Sequence, residues 1–180
     1  MKDSIITLFN KHNDENNLNI KLSFNMPKGY ETACGTFDVL KNTLFLNEMY
    51  FNDRLKMLFT LYHELRHAEQ YITPQKFDKD ISESIKYVIL YNGVCYKLID
   101  NSWVECKINH ENLIDIYLSL PYELDANKFA YNTLKGYKGI DLDELNNYYN
   151  NTLPKISISK QKLQQVYNEI DILSETNNKH

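Results

Sequence analysis

The sequence has few of the residues that mark secreted or redox-active proteins. Only three of its 180 residues are cysteines, Cys34, Cys95 and Cys106, and none of them forms a CxxC pair. An odd number of widely spaced cysteines without a secretion signal favours reduced, buried thiols in a cytoplasmic protein. The segment 1–16 turns to charged and asparagine residues too early for a signal peptide.

Long apolar runs and a basic face are also missing. No stretch approaches the roughly 20 apolar residues that span a membrane, so we expect no membrane association. The formal net charge is −4, and we expect no direct binding to nucleic acid. The length and a hydrophobic content of 43 % predict a single domain. We divide it into a core at about 18–136, a C-terminal helical extension at about 140–173 and a frayed tail at 174–180.

Histidine is scarce, yet two of the five histidines stand four residues apart. His63 and His67 belong to the stretch Leu-Tyr-His-Glu-Leu-Arg-His-Ala-Glu-Gln-Tyr at 61–71. On an α-helix they lie one turn apart on the same face. Two imidazoles so placed can bind one Zn²⁺, and Glu64 can take a proton from a metal-bound water. This HExxH pattern is typical of zinc metalloproteases.

Hydrophobic periodicity predicts an α+β fold around this motif. A central helix should begin at a cap on Asn52 or Asp53 and end near Gln70, with one apolar side and one histidine-bearing side that faces a cleft. Other predicted helices cover about 3–11, 81–90, 121–135, 142–149 and 159–173, and predicted strands cover 18–24, a hairpin at 32–47 and a hairpin at 94–108.

A catalytic zinc site commonly uses three protein ligands, so two histidines leave it incomplete. The downstream candidates are His110, Glu111, Glu123 and Asp125. Glu123 falls inside the apolar arc of its predicted helix, where a carboxylate is costly unless it is paired or bound to a metal. We therefore predict Glu123 as the third ligand. A buried salt bridge, for example with Arg66, is the alternative explanation of its position.

Asp125 lies outside the apolar arc, nearer to solvent. It is the second choice for the third ligand, and otherwise a group that orients a ligand imidazole from behind. The remaining histidines, His110, His12 and His180, lie in polar stretches and are predicted to be surface residues.

Peptide hydrolysis also needs a donor for the oxyanion and a means of holding the substrate. Tyrosine, histidine and arginine can supply the donor, and Tyr122, Tyr131 and Arg66 are the candidates for this role or for substrate contacts. The hairpin at 32–47 precedes the HExxH helix. An exposed edge strand there can hold a peptide through backbone hydrogen bonds, although a purely structural hairpin explains the pattern equally well.

Two segments together resemble the ImmA/IrrE family of zinc metallopeptidases. These segments are His-Glu-Leu-Arg-His at 63–67 and Glu-Leu-Asp-Ala-Asn-Lys-Phe-Ala at 123–130, and the resemblance covers about 29–134. That family combines HExxH on one helix with a Glu-x-[Glu/Asp]-Ala-Asn-x-Phe-Ala type segment on a later helix. The resemblance implies a small zincin-like domain in which His63, His67 and Glu123 bind Zn²⁺ and Glu64 is the general base.

The resemblance also implies a biological setting. Members of the family are cytoplasmic, include phage and mobile-element proteins, and in some cases cleave or inactivate a DNA-bound repressor. This chain departs from the family in its long gap between the two motifs, in the absence of a recognisable helix-turn-helix, and in the unmatched region beyond Gly136. Two functions follow as hypotheses: a zinc-dependent peptidase acting on a protein substrate, and a non-catalytic, zinc-containing protein-binding module.

Overall fold

The computed structural model describes residues 1–90 and 92–177. These residues form an α+β fold with two three-stranded sheets. The α-helices are α1 (Lys2–Glu15), α2 (Arg54–Ile72), α3 (Lys79–Ser84), α4 (Leu113–Leu118), α5 (Pro121–Lys135), α6 (Leu142–Asn151) and α7 (Lys160–Asn177). The strands are β1 (Lys21–Ser23), β2 (Gly35–Asp38), β3 (Thr43–Leu46), β4 (Tyr87–Ile89), β5 (Val94–Ile99) and β6 (Ser102–Lys107).

The first sheet has the strand order β1-β3-β2. Strands β2 and β3 are antiparallel, which confirms the hairpin predicted at 32–47. Strand β1 pairs in parallel with β3, so this sheet is mixed. Strand β1 is shorter than the predicted 18–24 because Asn19 adopts a φ of 54°, which lies outside the β region. Leu18 and Ile20 are nevertheless buried, as the alternation predicted.

The second sheet has the order β4-β5-β6 and is antiparallel throughout. The predicted hairpin at 94–108 is confirmed, and Asp100 and Asn101 form its turn with φ values of 47° and 61°. Positive φ at both turn residues matches the twist of the flanking strands. The helix predicted at 81–90 is wrong in its second half, since α3 ends at Ser84. The following Tyr-Val-Ile segment favours a strand and pairs with β5.

Helix α2 is the central element of the fold. The Asp53 carboxylate caps it by accepting a hydrogen bond from the Lys56 amide at 2.9 Å. The predicted apolar side is buried, but the opposite side is buried as well, since Glu64 and His67 are each 7 % exposed. His63, with a side chain 14 % exposed, keeps more contact with solvent on that side, and the cleft there stays a prediction. Other elements cover that side, and α2 is a core helix on nearly all faces.

Two apolar clusters share helix α5. The first cluster joins α1, the first sheet, α2 and α6 to the later half of α5, including Leu134. The second joins the second sheet, α4 and α7 to the start of α5, including Tyr122. Helices α6 and α7 pack in different clusters, through Leu145 and Ile170 respectively. The segment 140–173 is thus not one continuous extension, because α6 and α7 complete two separate cores.

The C-terminal part of the chain is more helical than predicted. Helix α7 continues to Asn177, so 174–177 is not frayed, while 178–180 lie outside the described residues. Cys95 and Cys106 are buried free thiols and Cys34 is a half-buried one. No helix within 1–90 and 92–177 combines the length and apolar character needed to cross a membrane.

Close contact between α2 and the first sheet depends on Gly35. A Cβ atom at this position would lie 2.6 Å from Thr60 Cγ2 and 2.9 Å from the Phe45 carbonyl oxygen. Neither atom can move without shifting the helix or the sheet, since Thr60 is on α2 and Phe45 is on β3. Only a residue without a side chain allows the two elements to approach this closely.

We therefore expect Gly35→Ala to lower the free energy of unfolding by about 1–3 kcal/mol, because overpacking forces the helix from the sheet. Urea unfolding followed by circular dichroism measures the change. Gly136→Ala is the matched control, since a Cβ there would meet no atom within 4 Å. Equal stability of Gly35→Ala and the unmodified protein would contradict this account of the helix–sheet contact.

Candidate metal centre

Helices α2 and α5 bring three potential metal ligands together. His63 and His67 lie one turn apart on α2, and Glu123 lies in the first turn of α5. Ala126 and Ala130 are fully buried on α5, and their small side chains allow close packing against α2. As a result, one ligand atom from each of the three residues lies within 4.8 Å of the others. The site brings together all three residues that the sequence predicts as ligands.

The separations in the cluster fit a divalent metal ion. The two Nε2 atoms of His63 and His67 are 2.9 Å apart. Glu123 Oε2 lies 3.4 Å from His63 Nε2, and Glu123 Oε1 lies 3.6 Å from His67 Nε2. Neighbouring ligands of a tetrahedral Zn²⁺ are roughly 3.3 Å apart, given bonds of about 2.0–2.1 Å. Two imidazole nitrogens and a carboxylate also form a ligand set that occurs in catalytic zinc sites.

The electrostatics of the cluster require a cation. Burial disfavours the charged form of His67, but the Glu123 carboxylate outweighs it and raises the pKa of His67 to about 9. Burial likewise acts against an ionised Glu123, yet His67 and His63 hold its pKa below the usual range. The buried carboxylate is therefore stabilised by positive charge, which a proton on His67 or a bound metal ion can supply.

Glu64 is placed for proton transfer. It follows His63 on α2 and is 7 % exposed. Burial raises the pKa of its carboxyl group, and nearby Glu123 adds to the rise. His63, His67 and the backbone of Phe37 oppose it. A carboxyl group with a raised pKa exchanges protons closer to neutral pH than an exposed one does.

Asp125 lies outside the ligand cluster. Its carboxylate accepts hydrogen bonds from Arg66 Nε and from Gln70 Nε2, both at 2.8 Å. Gln70 in turn contacts His67, so Asp125 stands behind a ligand imidazole, as the second of its two predicted roles describes. Arg66 does not form the salt bridge with Glu123 that was the alternative at that position.

Arg66 and Tyr131 make their polar contacts away from the ligand cluster. The Arg66 guanidinium donates to Asp125 and Glu69 and lies over two aromatic rings, those of Phe77 and Phe129. The Tyr131 hydroxyl donates to Asn146 Oδ1 at 2.8 Å, and its ring stacks on Tyr149 of α6. Arg66 and Tyr131, two of the three candidate oxyanion donors, thus make contacts with other parts of the fold and not with the cluster. Tyr122 is the candidate that stays near the site, with its ring centroid 5.3 Å from that of His67.

His110 and His12 make contacts that the sequence did not predict. His110 Nε2 lies 2.6 Å from a carboxylate oxygen of Glu169 on α7, so the two side chains are hydrogen bonded. His12 is not a surface residue, because its ring lies 2.5 Å from Glu69 and its side chain is only 14 % exposed. Glu111 is exposed, and His180 lies outside the described residues. The ligand cluster contains neither His12 nor His110.

Sequence reasoning missed two residues beside the cluster. Tyr117 on α4 lies near Glu123 and Glu64, since burial and these two carboxylates raise the pKa of its phenol well above the usual value. Helix α4 has six residues and was not predicted, so nothing in the sequence placed this phenol. Gln70 contacts His67 and Tyr122. Its spacing of three residues from His67 on one helix is a signal that could have identified it.

Comparisons with protein-family models, with curated proteins and with solved structures find no match to this chain. The functional assignment therefore depends on the geometry and chemistry of the site.

We expect the purified protein to bind about one zinc ion per chain, and His63→Ala and Glu123→Ala to lose it, because each removes one of three ligands. Elemental analysis after dialysis against a weak chelator measures the content. His110→Ala is the control, since His110 pairs with Glu169 outside the cluster. Equal zinc in all four proteins would contradict the ligand assignment.

Proposed function

We propose that this protein is a zinc-dependent peptidase with a zincin-like site of the ImmA/IrrE type. The observation that supports this best is the convergence of His63, His67 and Glu123 beside a buried Glu64. A purely structural metal site has no need of this second carboxyl group. The ligand set and the raised pKa of Glu64 suit hydrolysis of a peptide bond by an activated water.

The chain's own residues supply the proton transfers and the binding of the ion. His63, His67 and Glu123 would hold Zn²⁺, which lowers the pKa of a bound water and polarises the scissile carbonyl. Glu64 would accept the proton of the attacking water at a carboxylate oxygen. Glu64 then gives the proton to the leaving amine as the carbon–nitrogen bond breaks. Its raised pKa favours this exchange in both directions.

Strand β2 provides an edge on which a peptide can be held. The hydrogen bond from the Asn47 amide to the Cys34 carbonyl, 2.9 Å, fixes the pairing pattern between β2 and β3. In an antiparallel ladder the backbone groups of Gly35 and Phe37 then point away from β3, toward the free edge. Phe37 also lies near Glu64, since its backbone opposes the rise in the pKa of that carboxyl group. An extended substrate along this edge would pass next to the proposed base.

Tyr117 is the side chain best placed to stabilise the oxyanion. The pKa of its phenol is raised by burial, by Glu123 and by Glu64, so the phenol is near both the proposed ligand and the proposed base. The raised pKa keeps the phenol protonated at neutral pH, as a hydrogen-bond donor must be. It can therefore donate to the negative charge that develops on the carbonyl oxygen.

We further propose that the substrate is a cytoplasmic protein, such as a regulator or repressor of a phage or mobile element. The paired motifs at 63–67 and 123–130 support this class of substrate through their resemblance to the ImmA/IrrE family. A chain with a net charge of −4 does not favour direct binding to DNA. We therefore propose that this chain contacts its protein substrate directly and does not bind the DNA.

One observation favours the alternative, a non-catalytic zinc-containing protein-binding module. The ligand side chains are nearly closed off, at 14 % exposed for His63, 9 % for His67 and 5 % for Glu123. A substrate carbonyl can reach them only if a covering element moves. Binding of a protein partner without cleavage, at equal strength with and without Glu64, would support this function.

We expect Glu64→Gln to keep its zinc but to cleave peptides about 10²–10⁴-fold more slowly, because the amide cannot carry the transferred proton. A library of quenched fluorescent peptides, incubated with zinc-loaded protein, measures the rate. Glu144→Gln is a control, since Glu144 is an exposed carboxylate on α6 and lies outside the ligand cluster. Unchanged cleavage by Glu64→Gln would rule out this mechanism.

We expect Tyr117→Phe to lower kcat about 10²–10³-fold with little change in zinc content, because one donor to the oxyanion is lost. The same peptides and a titration of substrate concentration separate kcat from KM. Tyr131→Phe is the matched control, as it removes a phenol hydroxyl at the α5–α6 contact. If both variants behave alike, Tyr117 has no role in the reaction.

A further inference from the structure

The carboxamide of Gln70 connects a metal ligand to helix α5. Gln70 is 1 % exposed and follows His67 by three residues on α2. Its Oε1 atom lies 2.8 Å from His67 Nδ1. Its Nε2 atom donates to the Tyr122 carbonyl oxygen at 3.0 Å and to Asp125 Oδ2 at 2.8 Å. Both donor hydrogens of this buried amide and one of its two acceptor directions are thus in use.

These partners fix which nitrogen of the neutral His67 ring carries the hydrogen. A backbone carbonyl and an ionised carboxylate only accept hydrogen bonds, so the Gln70 nitrogen must face Tyr122 and Asp125. The Gln70 oxygen then faces His67, and an amide oxygen also only accepts. His67 Nδ1 must therefore carry a hydrogen, which leaves Nε2 as the lone-pair atom of the neutral ring. Nε2 is the atom that points into the ligand cluster.

Asp125 is itself held in place by a chain of charged groups. Arg66 grips its carboxylate with Nε at 2.8 Å and a terminal nitrogen at 3.3 Å. The other terminal nitrogen of Arg66 donates to Glu69 at 2.6 Å, and Glu69 lies 2.5 Å from His12 Nε2 on α1. Two-point contacts between a guanidinium and a carboxylate restrict orientation as well as distance. This series of contacts connects α1, through α2, to the first turns of α5.

The second imidazole has no such support. His63 Nδ1 is buried and has no hydrogen-bond partner among the residues that the structure describes. The polar neighbours of this ring lie only on its Nε2 side, where Glu123 Oε2 is 3.4 Å away. His67 is thus oriented before an ion arrives, whereas His63 has freedom to adjust its ring.

We infer that Gln70 is a positioning residue that sets the tautomer and orientation of His67, with Asp125, Arg66, Glu69 and His12 holding Gln70 in turn. This inference rests on the metal site of the proposed function and assigns Gln70 no contact with metal or substrate. Partners behind a metal-binding histidine typically contribute about 10–100-fold to metal affinity.

Gln70→Leu in the full chain tests the inference, because leucine fills similar space without hydrogen bonds. Competition with a chromophoric chelator gives the Kd for zinc, and we expect it to rise about 10–100-fold. The absorption spectrum of the Co²⁺-loaded protein should also change, since it reports ligand orientation. A loss of fold stability alone would not alter this spectrum.

Asn47→Leu is the matched control. Asn47 is also a buried carboxamide that donates to two carbonyl oxygens, those of Glu31 and Ala33, and accepts from the Met49 amide. It follows the last residue of β3 and is outside the series of contacts that leads to His67. We expect Asn47→Leu to lower the thermal unfolding temperature while leaving the zinc Kd and the Co²⁺ spectrum unchanged.

Asp125→Ala provides a second variant if Gln70→Leu does not fold, since the Asp125 side chain is partly exposed, at 21 %. It frees one side of the Gln70 amide, and we expect a smaller rise in the zinc Kd. The double variant should bind zinc no more weakly than Gln70→Leu alone, because both act through one path. Fully additive losses would overturn the proposed order of contacts.

The outcomes distinguish a failure of the proposed metal site from a failure of the positioning role of Gln70. If the unmodified protein binds neither zinc nor Co²⁺, the proposed function fails and this inference fails with it. If it binds zinc but Gln70→Leu and Asp125→Ala retain its Kd and Co²⁺ spectrum, only the positioning role is overturned. A weakened, spectrally altered Gln70→Leu beside an unaffected Asn47→Leu supports it.

Discussion

A carboxylate buried at the start of α5 sets the constraint on which this site depends. Glu123 is 4 % exposed and faces two imidazoles, and an ionised group in that position is stable only with positive charge beside it. Two histidines on α2 supply that charge when one is protonated. The same geometry suits a metal ion, because metal and proton compete for the same lone pairs. Helices α2 and α5 pack closely against each other around this polar centre.

The architecture around the centre explains why it is both rigid and enclosed. Helix α5 contributes its first turn to one apolar cluster and its last turns to the other. The segment between the two sequence motifs builds the second sheet and α4, which carries Tyr117 to Glu123. The long gap between the motifs is therefore a structural part of the site. Polar contacts from His12 to His67 stiffen the opposite side.

Local features of the sequence predicted local structure well. Asp53 caps α2, Pro121 begins α5, Gly136 follows its end, and both hairpins form where alternation and polar turns indicated. Predictions that depended on distant partners were less successful. The segment after Ser84 became a strand because β5 was available to pair with it. His12 is buried because α1 happens to lie against Glu69, which no pattern within α1 reveals.

The sequence by itself determined the chemistry that the site can offer. On a helix, the spacing of His63 and His67 gives them a shared face, and an acidic residue within an apolar arc needs a proton, a hydrogen-bonding partner or a cation. Tertiary structure alone decided which groups surround these ligands. Whether Asp125 binds an ion or orients Gln70, and whether Arg66 or Tyr117 approaches Glu123, depends on packing between elements far apart in the chain. Such contacts leave no periodic trace in the sequence, because they are set by helix and sheet positions rather than by local backbone preference.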